Sequence, residues 1–338
     1  MRRYILPVIQ VLVTVGLLAW IFRNPEQNRL MWEALKDANV LWLVPGVLAV
    51  GIAFLLQTQR WLMLMAVQGI QMRWWRAWRL MMVGAFFNLF LFGATGGDVI
   101  KIFYAMRETA TKKSAAFLSV LVDRIVGLLA LILVTGVLCA LNFRQLTAHP
   151  VTAALMSTLA VILGGSFAVV VAGFLVDRLQ LAHRLPTWIP LHARILEMAS
   201  AFSIYARDGK TLLATLALSV PAHLLIFSAF YFSARAFTDA LTVMNVFSVM
   251  PIINTITALP ISLSGVGVRE GLFKQLFGTM FGIPENLAVV ISLMGFATTL
   301  FWGLVGGLVY VLYRPTGVHL SDIEKEVGAV EKDVEQRA

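Results

Sequence analysis

Long apolar runs alternate with short basic loops along most of this chain, and their lengths predict membrane-spanning helices at about 4–22, 40–56, 115–142, 151–176, 211–236 and 286–312. Each run reaches or slightly exceeds the roughly 17–25 residues a helix needs to cross a hydrocarbon core. Two further apolar segments do not fit that description. Residues 80–107 are apolar up to Gly93, break at Gly93-Ala94-Thr95-Gly96-Gly97-Asp98, and resume as a run too short and too charged for an ordinary span, with Lys101 and Arg107 in it. Residues 241–283 are apolar but broken around Pro251 and again from Pro260 to Gly267. Irregular backbone at bilayer depth is tolerated only where protein or a wet cavity covers it, so both segments predict broken helical hairpins beside a binding site.

Lys and Arg accumulate on the cytoplasmic side of membrane proteins, which tests this reading. With both odd segments re-entrant, 19 of the 27 basic residues fall on one side, in the N-terminus, 57–79, 101–114, 177–210 and the C-terminal tail; 7 fall on the other, and Arg124 sits in a span. The expected location is the cytoplasmic membrane, multi-pass, with both termini cytoplasmic. A complete crossing by 80–97 places the basic 177–210 loop outside, which favours the hairpin there; for 241–283, a hairpin and two full spans leave the remaining topology unchanged. The order span, span, broken segment, span occurs once in 4–142 and again in 151–312. The predicted fold is all-α, with about six full spans plus two broken or re-entrant hairpins arranged as an inverted repeat. The first membrane repeat covers 1–142, the second 143–312, and a cytoplasmic tail 313–338.

Composition narrows the function classes. The chain is 59% hydrophobic and 13% charged, with a mean hydropathy of +0.83, which is the profile of a membrane protein and not of a soluble one. Tyr4–Phe22 is long for a signal-peptide core and no A-x-A-like site follows it, so it reads as an uncleaved first span. The single cysteine, Cys139, excludes an intramolecular disulfide, and the five histidines, His223 among them, have no ligand spacing; neither a metal nor another cofactor is expected. No G-x-x-x-x-G-K-[ST] loop is present, which disfavours ATP-driven pumping. The net charge of +9 suits contact with anionic lipid at the inner face, and nothing else points to nucleic acid.

Candidate chemistry lies at the breaks and in one span. Asp123-Arg124 stands about three turns into the span that begins near Ala115. A charge near a helix centre costs roughly 2.5–3.5 kcal/mol on insertion scales, so such residues face a partner or a cavity. Adjacent helical residues point about 100° apart, so one can face each hairpin. Either they lock the bundle, with Arg124 on Asp98 or Glu270, or they touch substrate. Gly96-Gly97 precedes a helix from Asp98, and Ser264-Gly265-Val266-Gly267 precedes one from Val268. A glycine-rich turn into a helix presents backbone N–H groups at the positive end of the dipole. With Lys101, Arg124 and Arg269 nearby, a phosphate headgroup is well matched. The plainer alternative is that Asp98 is an N-cap and the glycines only permit close helix contact. Asp98 or Glu270 also suits the amine of an aminoacylated lipid.

These residues carry a family resemblance that covers nearly the whole chain. Gly96-Gly97-Asp98 with Lys101, the run Ser119-Val120-Leu121-Val122-Asp123-Arg124, and Pro260 through Gly265-Val266-Gly267-Val268-Arg269-Glu270 resemble the lysylphosphatidylglycerol synthase transmembrane, or flippase-like, family. In the multiple peptide resistance factors such a membrane domain is joined to a soluble domain that transfers an aminoacyl group from tRNA to phosphatidylglycerol, and the membrane part is assigned to flipping the product. Here the chain stops shortly after its last span, so the resemblance implies the flippase-like role and not the transfer activity. It also implies that Asp98, Lys101, Asp123, Arg124, Arg269 and Glu270 line or stabilise a lipid path, with membrane lipids as partners and a lipid-synthesis enzyme as a second candidate partner.

Outside the core, Arg73-Trp74-Trp75-Arg76-Ala77-Trp78-Arg79 reads as an interfacial anchor, Leu191–Lys210 as a helix lying on the cytoplasmic face, and the tail from Ser321 and Glu324 as a capped, solvated helix. Two other functions remain open on the sequence alone. One is a membrane glycosyl- or phosphotransferase acting on a polyprenyl lipid through Glu26, Glu33 or Asp37. The other is a non-transporting partner of a lipid synthase.

Overall fold

A computed structural model describes residues 2–90, 96–108, 113–148, 150–178, 205, 208–259 and 261–313. Gly93–Thr95, Pro260, most of the 177–210 linker and the tail beyond 313 lie outside the described residues. Among the described residues there are twelve α-helices and no strand. The first half comprises α1 (Arg2–Ile21), α2 (Pro25–Lys36), α3 (Leu43–Val67), α4 (Trp74–Phe90), α5 (Gly96–Glu108) and α6 (Lys113–Leu141). The short α7 (Phe143–Thr147) leads into α8 (Pro150–Arg178), α9 (Gly209–Arg235), α10 (Val243–Thr257), α11 (Val268–Phe281) and α12 (Glu285–Tyr313).

Four segments, Val40–Val67, Ala115–Leu141, Gly209–Arg235 and Glu285–Leu312, are long and apolar enough to cross a membrane. Large apolar side chains such as Leu48, Val137, Leu308 and Val311 stand exposed on them, as a lipid-facing surface requires. The chain is a membrane protein. α1 and α8, with 20 and 29 residues, are helical over the spans expected at 4–22 and 151–176. By contrast α4, α5, α10 and α11 have 17, 13, 15 and 14 residues. At 1.5 Å per residue they reach only about 20–25 Å, less than the ~30 Å of a hydrocarbon core.

Three sequence expectations shift. The span expected to end at 56 continues to Val67, so Arg60 is a helical, buried residue and not a loop cation. The polar Gln57-Thr58-Gln59-Arg60 cluster imitates a helix end, but apolar contacts resume at Trp61, Leu64 and Met65, all fully buried. The first hairpin begins at Trp74 instead of 80, so the Trp-Arg anchor forms the opening turns of α4, with Ala77 buried and Trp75 exposed. Finally, Pro251 does not break 241–283: α10 runs through it. A membrane helix accommodates proline where neighbours cover the freed carbonyl.

Between the half-length helices of the second hairpin the backbone is irregular. A single 3-10 turn, Leu263–Gly265, separates α10 from α11, with Ser264 at φ 50° and Gly265 and Gly267 at φ 74° and 87°. Glycine reaches those angles without steric cost, whereas Ser264 holds one against its preference.

α3 and α9 form the central contact of the bundle, α4 packs against α12, and α10 packs against α6. α5 lies on α6 and α11 on α12, while each hairpin's arms also touch one another. Lipid tails are as apolar as leucine, so close fit rather than water exclusion holds such helices together. One buried cluster joins Trp61, Leu80, Ile100, Phe103, Met106 and Val120 around the first hairpin. A second joins Phe227, Phe230, Val249, Ile253, Phe273 and Phe277 around the other, with Phe273 and Phe277 stacked at 4.7 Å.

A very close approach lies between Gly84 of α4 and Gly97 of α5, where a side chain on Gly97 runs into the Gly84 carbonyl oxygen. Gly97→Ala is expected to force the two arms apart at an overpacking cost of about 1–3 kcal/mol. Thermal unfolding of the detergent-purified variant measures it.

Candidate functional site

The first hairpin supplies a charged cavity. α5 starts against α4, where the Gly97 N–H donates to Asn88 Oδ1 at 2.9 Å. Its first turn carries Asp98, the end at which a carboxylate suits the helix dipole. Lys101 follows one turn later, and both residues meet α6, whose Asp123 accepts from Lys101 Nζ at 3.1 Å and whose Arg124 pairs with Asp98. From α3, Arg60 Nε donates to the other oxygen of Asp123 at 2.7 Å, and its Nη1 donates to Ser219 Oγ of α9 at 3.0 Å. The Lys101 ammonium lies 4.1 Å from the centre of the Trp61 ring. Arg60, Lys101 and Asp123 are almost wholly enclosed, whereas the Arg124 side chain is 40% exposed.

Arg60, Asp98, Lys101, Asp123 and Arg124 line a cavity of about 340 Å³. Gln57, Asn88, His223 and Asn254 add neutral polar groups to its wall, and Met81, Leu128, Leu131 and Ile226 add apolar ones. Both halves of the chain therefore contribute. His223 Nε2 is 3.0 Å from the Gly127 carbonyl oxygen and donates to it. Its Nδ1 then acts as an acceptor, and it finds no hydrogen-bond partner among the described residues.

Chemically, the second break is a closed unit. Glu270 accepts from the Gly267 N–H at 2.6 Å, from Arg269 Nη2 at 3.0 Å and from Ser292 Oγ at 2.9 Å. The Arg269 guanidinium lies 4.1 Å from the centre of the Phe296 ring. Glu270 and Arg269 are buried, so this carboxylate already occupies the anion position that a helix N-terminus offers. From α1, Thr14 Oγ1 accepts the Leu263 N–H at 2.8 Å, and Leu17 lies against Gly267.

Of the residues marked in the sequence, Asp98, Lys101, Asp123 and Arg124 come together around the cavity, next to Gly96 and Gly97. Ser264, Gly265, Gly267, Arg269 and Glu270 form the separate unit at the second break and do not line the cavity. Asp123 and Arg124 do not face one hairpin each; both turn to α5. The two breaks nevertheless touch, because Ser264 Oγ donates to the Asn88 carbonyl oxygen at 3.2 Å.

Sequence reading missed Arg60, Gln57, Asn88 and Asn254 as cavity residues, and weighed His223 only as a metal ligand. Their common signal is a polar side chain inside an apolar run, which costs energy in a bilayer unless it meets a partner or water. The carboxylates proposed for a transferase, Glu26, Glu33 and Asp37, all sit exposed on or beside the amphipathic α2, where Glu33 pairs with Arg29 at 3.6 Å.

With this geometry in place, comparison with known proteins gives one firm result. The family model described as "Lysylphosphatidylglycerol synthase TM region" matches residues 8–319, and the chain belongs to that family. No curated protein matches it.

Proposed function

We propose that this chain is a flippase-like lipid transporter that moves an anionic or aminoacylated phospholipid, or another amphiphilic lipid, between leaflets. The observation that carries this reading is the 340 Å³ cavity among the membrane helices, bordered by Arg60, Lys101, Arg124, Asp98 and Asp123. A polar head crossing a hydrocarbon core needs such fixed charge and hydrogen bonding at each stage, while its chains remain against the apolar helix faces. Membership of a lipid-related membrane family agrees with it.

The bundle also supports an inverted repeat over 1–142 and 143–312. Exchanging α3 with α9, α4 with α10, α5 with α11 and α6 with α12 converts each principal helix contact into another that is present: α4 on α12 becomes α10 on α6, and α5 on α6 becomes α11 on α12. Rocking of one repeat against the other is then the transport motion. The half-length α10 and α11 favour the re-entrant form for 241–283. On this reading the basic loops and both termini face the cytoplasm.

The test is transbilayer movement of labelled phospholipid in proteoliposomes of purified protein. Movement above protein-free vesicles is expected, and its absence with every phospholipid tried overturns the proposal. Ser292→Ala serves as the internal comparison, since it removes two hydrogen bonds at the second break, one donated to Glu270 and one accepted from Arg269, and leaves the cavity wall intact. It is expected to lower stability by about 1 kcal/mol in thermal unfolding and to leave lipid movement unchanged.

A further inference from the structure

Two buried cations share one carboxylate beside the cavity. Arg60 takes Asp123 Oδ1 at 2.7 Å and Lys101 takes Oδ2 at 3.1 Å. Among the described residues, the remaining contacts of the two cations, Ser219 Oγ at 3.0 Å from Arg60 and the Trp61 ring at 4.1 Å from Lys101, are neutral. They disperse the surplus positive charge without cancelling it. Asp98, the other carboxylate among the described lining residues, is paired with Arg124. An uncompensated charge at bilayer depth is costly, and a guanidinium and an ammonium together hold more donors than these contacts use.

We infer that the cavity selects a phosphate-bearing headgroup of net negative charge and discriminates against its lysylated, net-positive derivative; this rests on the lipid-moving reading above. A phosphodiester supplies the missing anion and accepts from the spare donors of Arg60 and Lys101. An added amine meets the opposite situation, because both carboxylates are already engaged and the surrounding charge repels it. The neutral remainder of the headgroup falls to Gln57, Asn254 and the acceptor Nδ1 of His223, a set suited to hydroxyl groups. Because Leu128, Leu131 and Ile226 share the wall, the ligand is a lipid and not a soluble phosphoanion.

The test is native mass spectrometry of the purified chain with three probes, phosphatidylglycerol, lysylphosphatidylglycerol and glycerol phosphate, run beside the proteoliposome assay. Phosphatidylglycerol is expected to bind at least roughly tenfold more tightly than its lysylated form, and glycerol phosphate not to compete. In Lys101→Met the cluster becomes one cation on one carboxylate, and the tenfold preference is expected to vanish. Equal or tighter binding of lysylphosphatidylglycerol by the unaltered protein overturns the inference even if lipid moves. Competition by glycerol phosphate overturns its lipid part, and an unchanged preference in Lys101→Met overturns its assignment to the shared carboxylate. Selective binding without movement instead leaves the charge selection standing and removes the transport reading.

Discussion

Asp123→Ala is expected to destabilise the protein by about 3–5 kcal/mol, because it strands two buried cations at once. Arg60 and Lys101 have side chains only 8% and 3% exposed, and Asp123 is the carboxylate that each contacts. Removing one member of a buried ionic group leaves the other without either water or a counter-charge, which is worse than replacing the whole group by apolar residues. The loss is read from thermal unfolding of the variant in neutral detergent, or from its failure to elute as a single species. Phosphatidylglycerol added to the detergent is expected to restore part of the lost stability, since its phosphate replaces the missing charge. Lys101→Met, which leaves Arg60 and Asp123 matched one to one, is expected to cost much less. A variant as stable as the parent removes Asp123 from the centre of the bundle's electrostatics.

The second large effect is functional. Arg124→Ala is expected to reduce lipid movement in proteoliposomes at least roughly tenfold, equivalent to about 1.4 kcal/mol in the barrier, while shifting unfolding by no more than about 1 kcal/mol. The asymmetry follows from exposure: the Arg124 and Asp98 side chains are 40% and 17% exposed, so solvent already screens their attraction in the resting molecule. A headgroup that enters the cavity displaces that water and meets a cation next to it. Arg124→Lys retains the charge without the planar fork and is expected to fall between the two. Full movement in Arg124→Ala takes this residue out of the path.

How much of this was legible beforehand depends on what each signal measures. Hydropathy identified the long helices because twenty apolar residues in succession have few alternatives to a span. The glycine breaks were visible because glycine at Gly265 and Gly267 answers a backbone requirement that is local. Asp98, Lys101, Asp123 and Arg124 stood out as charges in apolar surroundings, and they do meet. What sequence does not carry is azimuth. The 100° between Asp123 and Arg124 says that they diverge, but not that α5 is wide enough along its length to receive both. Arg60 was lost for a related reason: a helix end and a polar face inside a helix look alike until the partner, 63 positions away, is known. Arg269 and Glu270 appeared equivalent to the first cluster in composition, yet their charges match one to one and close on themselves.

Asn88 deserves its place near the end of α4, where helix carbonyls lack partners of their own. Its side chain holds the start of α5 and its carbonyl holds Ser264, so one residue is the shared pin of two joints. Neither joint can swing by more than about the slack of a hydrogen bond without slipping off that pin. The two hairpins are thereby geared: loosening at one is felt at the other before either helix has travelled far.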